Sequence, residues 1–139
     1  MTASVSRSAL VLLVIGLIVG LAGCFRIDGA SKNTAEEANL LAARSAVLAV
    51  PGVTGGDVEV SWPGSFSSWY FTCGLESDAA TRDELLAILE DVGRAVVDTV
   101  DPSHDPVIQC RLSNGIDTVD FADIVGGSSM YDLRQHYGP

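Results

Sequence analysis

Apolar residues recur at helical spacing in two stretches of the chain, and a capping box precedes each stretch. The boxes are Thr34-Ala35-Glu36-Glu37 and Thr81-Arg82-Asp83-Glu84, in which a threonine hydroxyl accepts from the third helical amide and a glutamate reaches back. Pro51-Gly52 ends the first pattern and Asp101-Pro102 ends the second, because these residues disfavour a continued helix. The chain therefore predicts two amphipathic helices, one after each box.

Shorter segments between and after these helices alternate apolar and polar residues, as half-buried strands do. Asp57 to Trp62 and Ser68 to Glu76 form a first pair, and the segment 63–67, which contains Pro, Gly and Ser, joins them. Val107 to Ser113 runs into Asn114-Gly115, the dipeptide that a two-residue type I′ turn prefers. We therefore expect two β-hairpins, one after each helix.

The type I′ turn fixes the expected pairing of the second hairpin. With that turn, Cys110 lies opposite Val119 and Ile108 lies opposite Phe121, so the apolar faces of the two strands agree. The element order is then helix, hairpin, helix, hairpin. We predict an α+β fold, a two-layer sandwich with two helices on one face of an antiparallel or mixed four-stranded sheet.

One passage of this fold resembles a known arrangement. The segment Leu48 to Val53, followed by Asp57 to Val60, is similar to the helix-to-strand passage of ferredoxin-like domains, which include small heavy-metal-associated domains. Those metal-binding domains carry Cys-x-x-Cys before their first helix, and this chain has no such pair, so their metal function is not implied. Since no strand pattern precedes the first helix, the resemblance implies a ferredoxin-like variant.

The N-terminus has a different pattern, typical of a targeting segment. Residues Ala9 to Ala22 carry no charge and are mostly Leu, Val and Ile, while Arg7 precedes them and small residues follow. This order of basic, apolar and small residues is that of a secretory signal peptide. The run is shorter than the roughly 20 residues of a membrane-spanning helix. Cleavage is therefore favoured over two alternatives, an uncleaved N-terminal anchor and a buried core helix.

The end of this run, Leu21-Ala22-Gly23-Cys24, resembles the lipobox of bacterial lipoproteins. In that family the cysteine receives a diacylglycerol thioether with fatty acyl chains such as palmitate, and the signal is cut just before it. The resemblance implies lipidation of Cys24 and location at the extracytoplasmic face of the cell membrane. The expected layout is a signal peptide in 1–23, a lipid-anchored linker in 24–33, an α+β domain in 34–125, and a hinge with a short tail in 126–139.

The charge of the chain limits its partners. Without Arg7, the mature part keeps 7 basic and 18 acidic residues, a formal net charge of −11. Such a surface repels phosphate backbones and anionic lipid head groups. We therefore expect no nucleic acid partner, and we expect membrane contact through the lipid on Cys24. Two acyl chains suffice for this, since each buried CH₂ contributes about 0.8 kcal/mol.

Cys73 and Cys110 remain once Cys24 is assigned to lipid. In the two strand patterns that contain them, both thiols share a face with large apolar residues. In an exported domain such a pair predicts a disulfide, which stabilises by roughly 3 to 4 kcal/mol on the chain-entropy model. Two buried free thiols are the alternative. A metal site is disfavoured, because two thiolates without a third ligand do not complete a zinc tetrahedron.

Two polar clusters suggest chemistry without completing a motif. Three aspartates recur at three-residue spacing: Asp117, Asp120 and Asp123. Carboxylates bind calcium, but the first two face opposite sides of a strand and the EF-hand pattern is absent, so we predict a solvated acidic edge. His104 with Asp101 and Asp105 would form a general-base pair if its loop folded back. No nucleophile motif accompanies it, so we expect no catalytic residue.

The aromatic segment from Trp62 to Tyr70 is a candidate contact surface. Trp62 and Trp69 fit inward strand positions, whereas Phe66 and Tyr70 are left outside. Exposed aromatics at a loop tip suit contact with a partner protein, a glycan or lipid. Packing within the core and hairpin is the alternative.

The C-terminal residues predict a short terminal helix. Tyr131 and Gln135 are one turn apart, as are Leu133 and Tyr137, and the segment 126–129 before them reads as a flexible hinge. Such a helix would dock on the sheet or on a partner.

These patterns together predict a lipid-anchored envelope protein that is a non-catalytic interaction module. We expect no cofactor and no metal, and a protein of the cell envelope as the partner. The alternative is a small-ligand-binding or hydrolytic envelope protein that uses the aromatic loop and the acidic edge. A deep pocket with converging polar groups would favour that alternative.

Overall fold

The structure, a computed structural model, describes residues 31–64 and 68–138. Its elements are helix α1 (Ser31–Leu48), strands β1 (Val53–Ser61) and β2 (Tyr70–Ser77), helix α2 (Arg82–Thr99), strands β3 (Val107–Ser113) and β4 (Thr118–Asp120), and helices α3 (Ala122–Val125) and α4 (Met130–Tyr137).

The four strands form one mixed sheet in the order β1-β2-β3-β4. β1 pairs with β2 antiparallel, β2 with β3 parallel, and β3 with β4 antiparallel. A parallel pair needs a crossover of a dozen or more residues, and the connection through α2 supplies it. The domain therefore has the predicted α+β class, with a four-stranded mixed sheet.

One face of the sheet is buried and the other faces solvent. Along β2 the odd positions are buried, and along β3 the even positions are buried, which is the period of two expected for a sheet covered on one side. The helices contribute the rest of the core, and its fully buried helical residues include Leu40, Ala43, Val47, Leu85, Leu89, Val92 and Val96. This arrangement is consistent with a two-layer sandwich.

The capping boxes have different outcomes. Thr81 is the N-cap of α2, its side chain accepts from the amide of Glu84, and the Glu84 carboxylate accepts from the Thr81 amide, as predicted. In contrast, α1 begins at Ser31, so Thr34 lies inside the helix instead of at its N-cap. The reason is that residues 31–33 include neither Gly nor Pro, so the helical hydrogen bonds continue upstream.

The expected type I′ turn between β3 and β4 is wrong, and so is the expected pairing. Leu112 pairs with Val119, which leaves a longer loop from Asn114 to Asp117. The Asn114 Oδ1 atom accepts from the amides of Ile116 (2.9 Å) and Asp117 (2.7 Å), and this side-chain turn replaces the backbone turn. The pairing is shifted by an even number of residues, so Val119 stays on the buried face.

The C-terminal helix α4 packs on α2. Met130 and Leu133 are fully buried in the core, and α4 belongs to the same compact unit as the sheet. The ring of Tyr137 covers Gly93, and the guanidinium carbon of Arg94 lies 5.5 Å from the ring centroid. The segment 126–129 ends in Ser129, which caps α4 and forms a β-bridge with Val107. The predicted terminal helix thus docks on a helix of its own chain.

Candidate functional site

Two of the predicted site residues, Cys24 and Phe66, lie outside the described residues. Lipidation of Cys24 and a contact through Phe66 therefore stay predictions. Tyr70, the other predicted contact residue, is half-buried at the start of β2, where it pairs with Ser61 on one side and Val107 on the other. Its neighbours along β2 place it on the solvent face of the sheet.

The two remaining cysteines lie side by side in the centre of the sheet. Cys73 on β2 is in register with Cys110 on β3, their Cα atoms are 4.4 Å apart, and their sulfur atoms are at disulfide distance. Both side chains point into the core, and the residues are only 2% and 3% exposed. A pair so buried is shielded from thiols in solution, which suits a structural bridge better than a redox-active one.

The loop that contains His104 is held by hydrogen bonds to two helices. Oδ1 of Asn39, on α1, accepts from the Asp101 amide (2.9 Å) and lies 3.3 Å from Nδ1 of His104. From α4, the Arg134 guanidinium donates to the carbonyl oxygens of His104 (2.7 Å) and Asp101 (3.1 Å). These contacts give the loop a structural role, and Nδ1 of His104 is engaged by Asn39.

The Asp101 carboxylate is also part of this loop. Its Oδ1 atom accepts from the hydroxyl (2.6 Å) and the amide (2.8 Å) of Ser103. These two hydrogen bonds, with smaller contributions from the positive charges of His104 and Arg134, lower the pKa of Asp101. Asp101 is therefore an anionic turn-capping group, and a lowered pKa makes it a weak general base.

The predicted acidic edge is built mainly of local caps. Asp123 accepts from the Arg82 guanidinium (2.9 Å) and, through its other oxygen, from the Asp120 amide (3.0 Å). Asp120 in turn accepts from the Ala122 amide (2.8 Å). Within 31–64 and 68–138, no group of three His, Cys, Asp or Glu side chains is arranged to hold a metal ion.

The two tryptophans stack at the end of the first hairpin where the loop connects β1 to β2. Their ring centroids are 6.1 Å apart with an interplanar angle of 23°. Trp69 is buried as expected, but Trp62 is 40% exposed and does not point fully inward. The reason is that β1 ends at Ser61, so Trp62 leaves the strand before the alternation of faces applies to it.

A pocket of about 250 Å³ opens on the solvent side of β3, where β4 leaves the sheet. Its walls include Thr72, Gln109, Arg111, Asp120, Phe121 and Ser128. Gln109 and Arg111 alternate with the buried residues of β3, so the strand pattern places them on the face away from the core. Thr72 comes from β2, Asp120 from the end of β4, and Phe121 and Ser128 from the connection that follows β4. In the sequence, only the shared outward phase of neighbouring strands indicates this grouping.

None of the helices in the described part of the chain is long and apolar enough to cross a bilayer. No protein-family model, curated protein or solved structure matches the chain.

Proposed function

We propose that this chain is a bacterial lipoprotein, anchored through Cys24 at the extracytoplasmic face of the cell membrane, where its domain acts as a non-catalytic interaction module. The membrane part of the proposal rests on the signal-peptide order of residues and on the Leu21-Ala22-Gly23-Cys24 segment. The structural observation that carries it is the Cys73–Cys110 pair, buried and in register at disulfide distance. Disulfides persist outside the cytoplasm, so the pair fits export.

The length of the linker limits the distance from the bilayer in this proposal. Six residues, 25–30, lie between Cys24 and the first residue of α1. Fully extended at about 3.5 Å per residue, they span roughly 21 Å. The domain therefore works close to the head groups, and its acidic surface keeps it from adhering to anionic lipid.

The polar contacts of the domain support a role without catalysis. The best general-base candidate, His104, and the acidic edge around Asp123 both serve to hold loops in place. Tyr70 and Phe66 are the proposed contact residues for a protein of the envelope. We also propose that the sheet is a ferredoxin-like variant in which β3, which follows α2, occupies the position beside β2.

The intact mass of the protein extracted from membranes tests the anchor. We expect a chain that starts at a diacylated Cys24, and we expect Cys24→Ser to leave the protein as uncleaved precursor or to release it from membranes. The matched control is the double variant Cys73→Ser/Cys110→Ser, which also removes thiols but must keep the lipid. A wild-type mass that retains Met1 without lipid would overturn the proposal.

Alkylation of the same sample tests the bridge. Cys73 and Cys110 are expected to react with iodoacetamide under denaturing conditions only after reduction. Free thiols in the unreduced, denatured protein would remove the observation that carries the extracytoplasmic location.

A further inference from the structure

The pocket beside β3 exists because β4 covers only part of the edge of β3. β4 pairs with β3 from Arg111 to Ser113, and the chain returns to β3 only at the bridge between Ser129 and Val107. The stretch of β3 around Cys110 lies between these two contacts and lines the pocket. The gap therefore lies where the chain after β4 leaves the edge of β3, before it pairs with β3 again at Val107.

Opposite charges stand next to each other in this pocket without pairing. Arg111 and Asp120 are cross-strand partners, and both point to the solvent face. Neither Arg111 nor Asp120 takes part in an ion pair among the described residues, so the guanidinium and the carboxylate lie beyond ion-pair distance of each other. The Asp120 carboxylate is instead engaged by the Ala122 amide. The guanidinium is left to bind something else.

The volume and the other lining residues of the pocket limit the size and polarity of a ligand. Ala122, which is exposed, contributes an apolar wall, while the hydroxyls of Thr72 and Ser128 and the amide of Gln109 offer hydrogen bonds. A volume of about 250 Å³ lies just below the 300 to 1,000 Å³ typical of ligand pockets, which suits a molecule of amino-acid size.

We propose that this pocket binds a free α-amino acid with an apolar side chain. The carboxylate accepts a bidentate pair of hydrogen bonds from Arg111, and the ammonium donates to Asp120. Side chains directly opposite on neighbouring strands have Cβ atoms about 5 Å apart, which matches two charges carried on adjacent groups of one small molecule. The apolar side chain lies against Ala122.

The net charge of the domain favours a zwitterion over an anion. A surface with a formal net charge of −11 in the mature chain repels a simple carboxylate, whereas a molecule of zero net charge approaches without that penalty. The carboxyl terminus of a peptide would accept hydrogen bonds from Arg111 but would carry no ammonium group to pair with Asp120. This inference does not depend on the lipid anchor, because its residues all lie in the folded domain.

The test is an NMR titration of the full ¹⁵N-labelled chain in detergent micelles with three probes. L-leucine carries both charges, N-acetyl-L-leucine lacks the ammonium, and L-leucinamide lacks the carboxylate. We expect L-leucine to shift the amide signals of Thr72, Gln109 and Arg111 with a Kd in about the millimolar range. Each analogue is expected to bind at least about tenfold more weakly, because it leaves one charged partner unsatisfied. No shift with L-leucine, or equal binding of N-acetyl-L-leucine, would overturn the proposal.

Two variants and a control locate the site. Arg111→Gln and Asp120→Asn are each expected to raise the Kd for L-leucine at least about tenfold, and the asparagine keeps an oxygen for the Ala122 amide. The control is Arg44→Gln, which removes an exposed arginine of α1 and must leave the Kd unchanged. Equal effects of Arg111→Gln and Arg44→Gln would refute the assignment. If a variant fails to fold, the comparison of the three probes on the wild-type protein still tests the proposal.

Discussion

The Cys73–Cys110 pair gives the sharpest stability prediction. The two residues are separated by 37 positions, and a bridge between them closes that loop in the unfolded chain. On the chain-entropy model a loop of this length contributes about 4 kcal/mol at 25 °C. The stability of most domains is about 5 to 15 kcal/mol, so the bridge supplies a large part of the total. For a domain of roughly 100 residues, a loss of this size lowers the Tm by about 20 °C.

The perturbation is reduction of the wild-type protein, which opens the bridge without changing side-chain volume. Thermal unfolding is followed by the fluorescence of Trp69, which is buried and stacked on Trp62. The control is Cys73→Ala/Cys110→Ala, whose Tm must not respond to the reductant. Because both cysteines are nearly inaccessible, reduction of the native protein is expected to be slow and to accelerate in denaturant. A wild-type Tm unaffected by complete reduction would refute the reasoning.

Two further predictions concern the packing of α4 and the loop before β3. Gly93→Ala is expected to destabilise the protein by about 1 to 3 kcal/mol in a urea unfolding assay, because a Cβ there would lie 2.5 Å from the Tyr137 ring. Gly74→Ala is the control in the same assay, because the space around its Cβ is open. Gly93→Ala as stable as wild type would contradict this packing. Ser103→Ala is expected to raise the pKa of Asp101 toward its ordinary value of 3.8 in a carbon-13 NMR titration, with exposed Ser68→Ala as the control. Because the pKa of Asp101 is lower in the folded state, its hydrogen bonds to Ser103 stabilise the folded protein above pH 3.8. This stabilisation is lost as the pH falls through the folded-state pKa. The urea midpoints of Ser103→Ala and wild type are therefore expected to converge in that acidic range. An unchanged Asp101 titration in Ser103→Ala would show that the hydrogen bond from the Ser103 hydroxyl does not set the pKa of Asp101.

The loop between α2 and β3 shows why a cluster of titratable residues in the sequence is weak support for catalysis. Asn39, some sixty residues earlier in the chain, supplies the acceptor for both the Asp101 amide and the His104 ring. Nothing local to His104 indicates that partner. The cluster therefore reads as a general-base candidate from the sequence and as a loop anchor in the structure.

The sequence by itself determined the local structure of this protein. The Thr81 capping box and the position of α2 follow from contacts within one or two helical turns, and the inward phase of Cys73 and Cys110 follows from the alternation along each strand. These features depend on residues a few positions apart. The α+β class followed because the helix and strand patterns are both clear and leave few ways of covering a sheet.

Only the tertiary structure decided how these elements pair. Placing β3 beside β2, and Cys110 opposite Cys73, depends on how α2 packs over the sheet, which no short segment encodes. The loop from Asn114 to Asp117 shows the same limit, because two turns of different length keep the same residues inward and only packing against the rest of the core selects one. The pocket at Arg111 arises from three separate segments, and such a grouping exists only once the chain is folded.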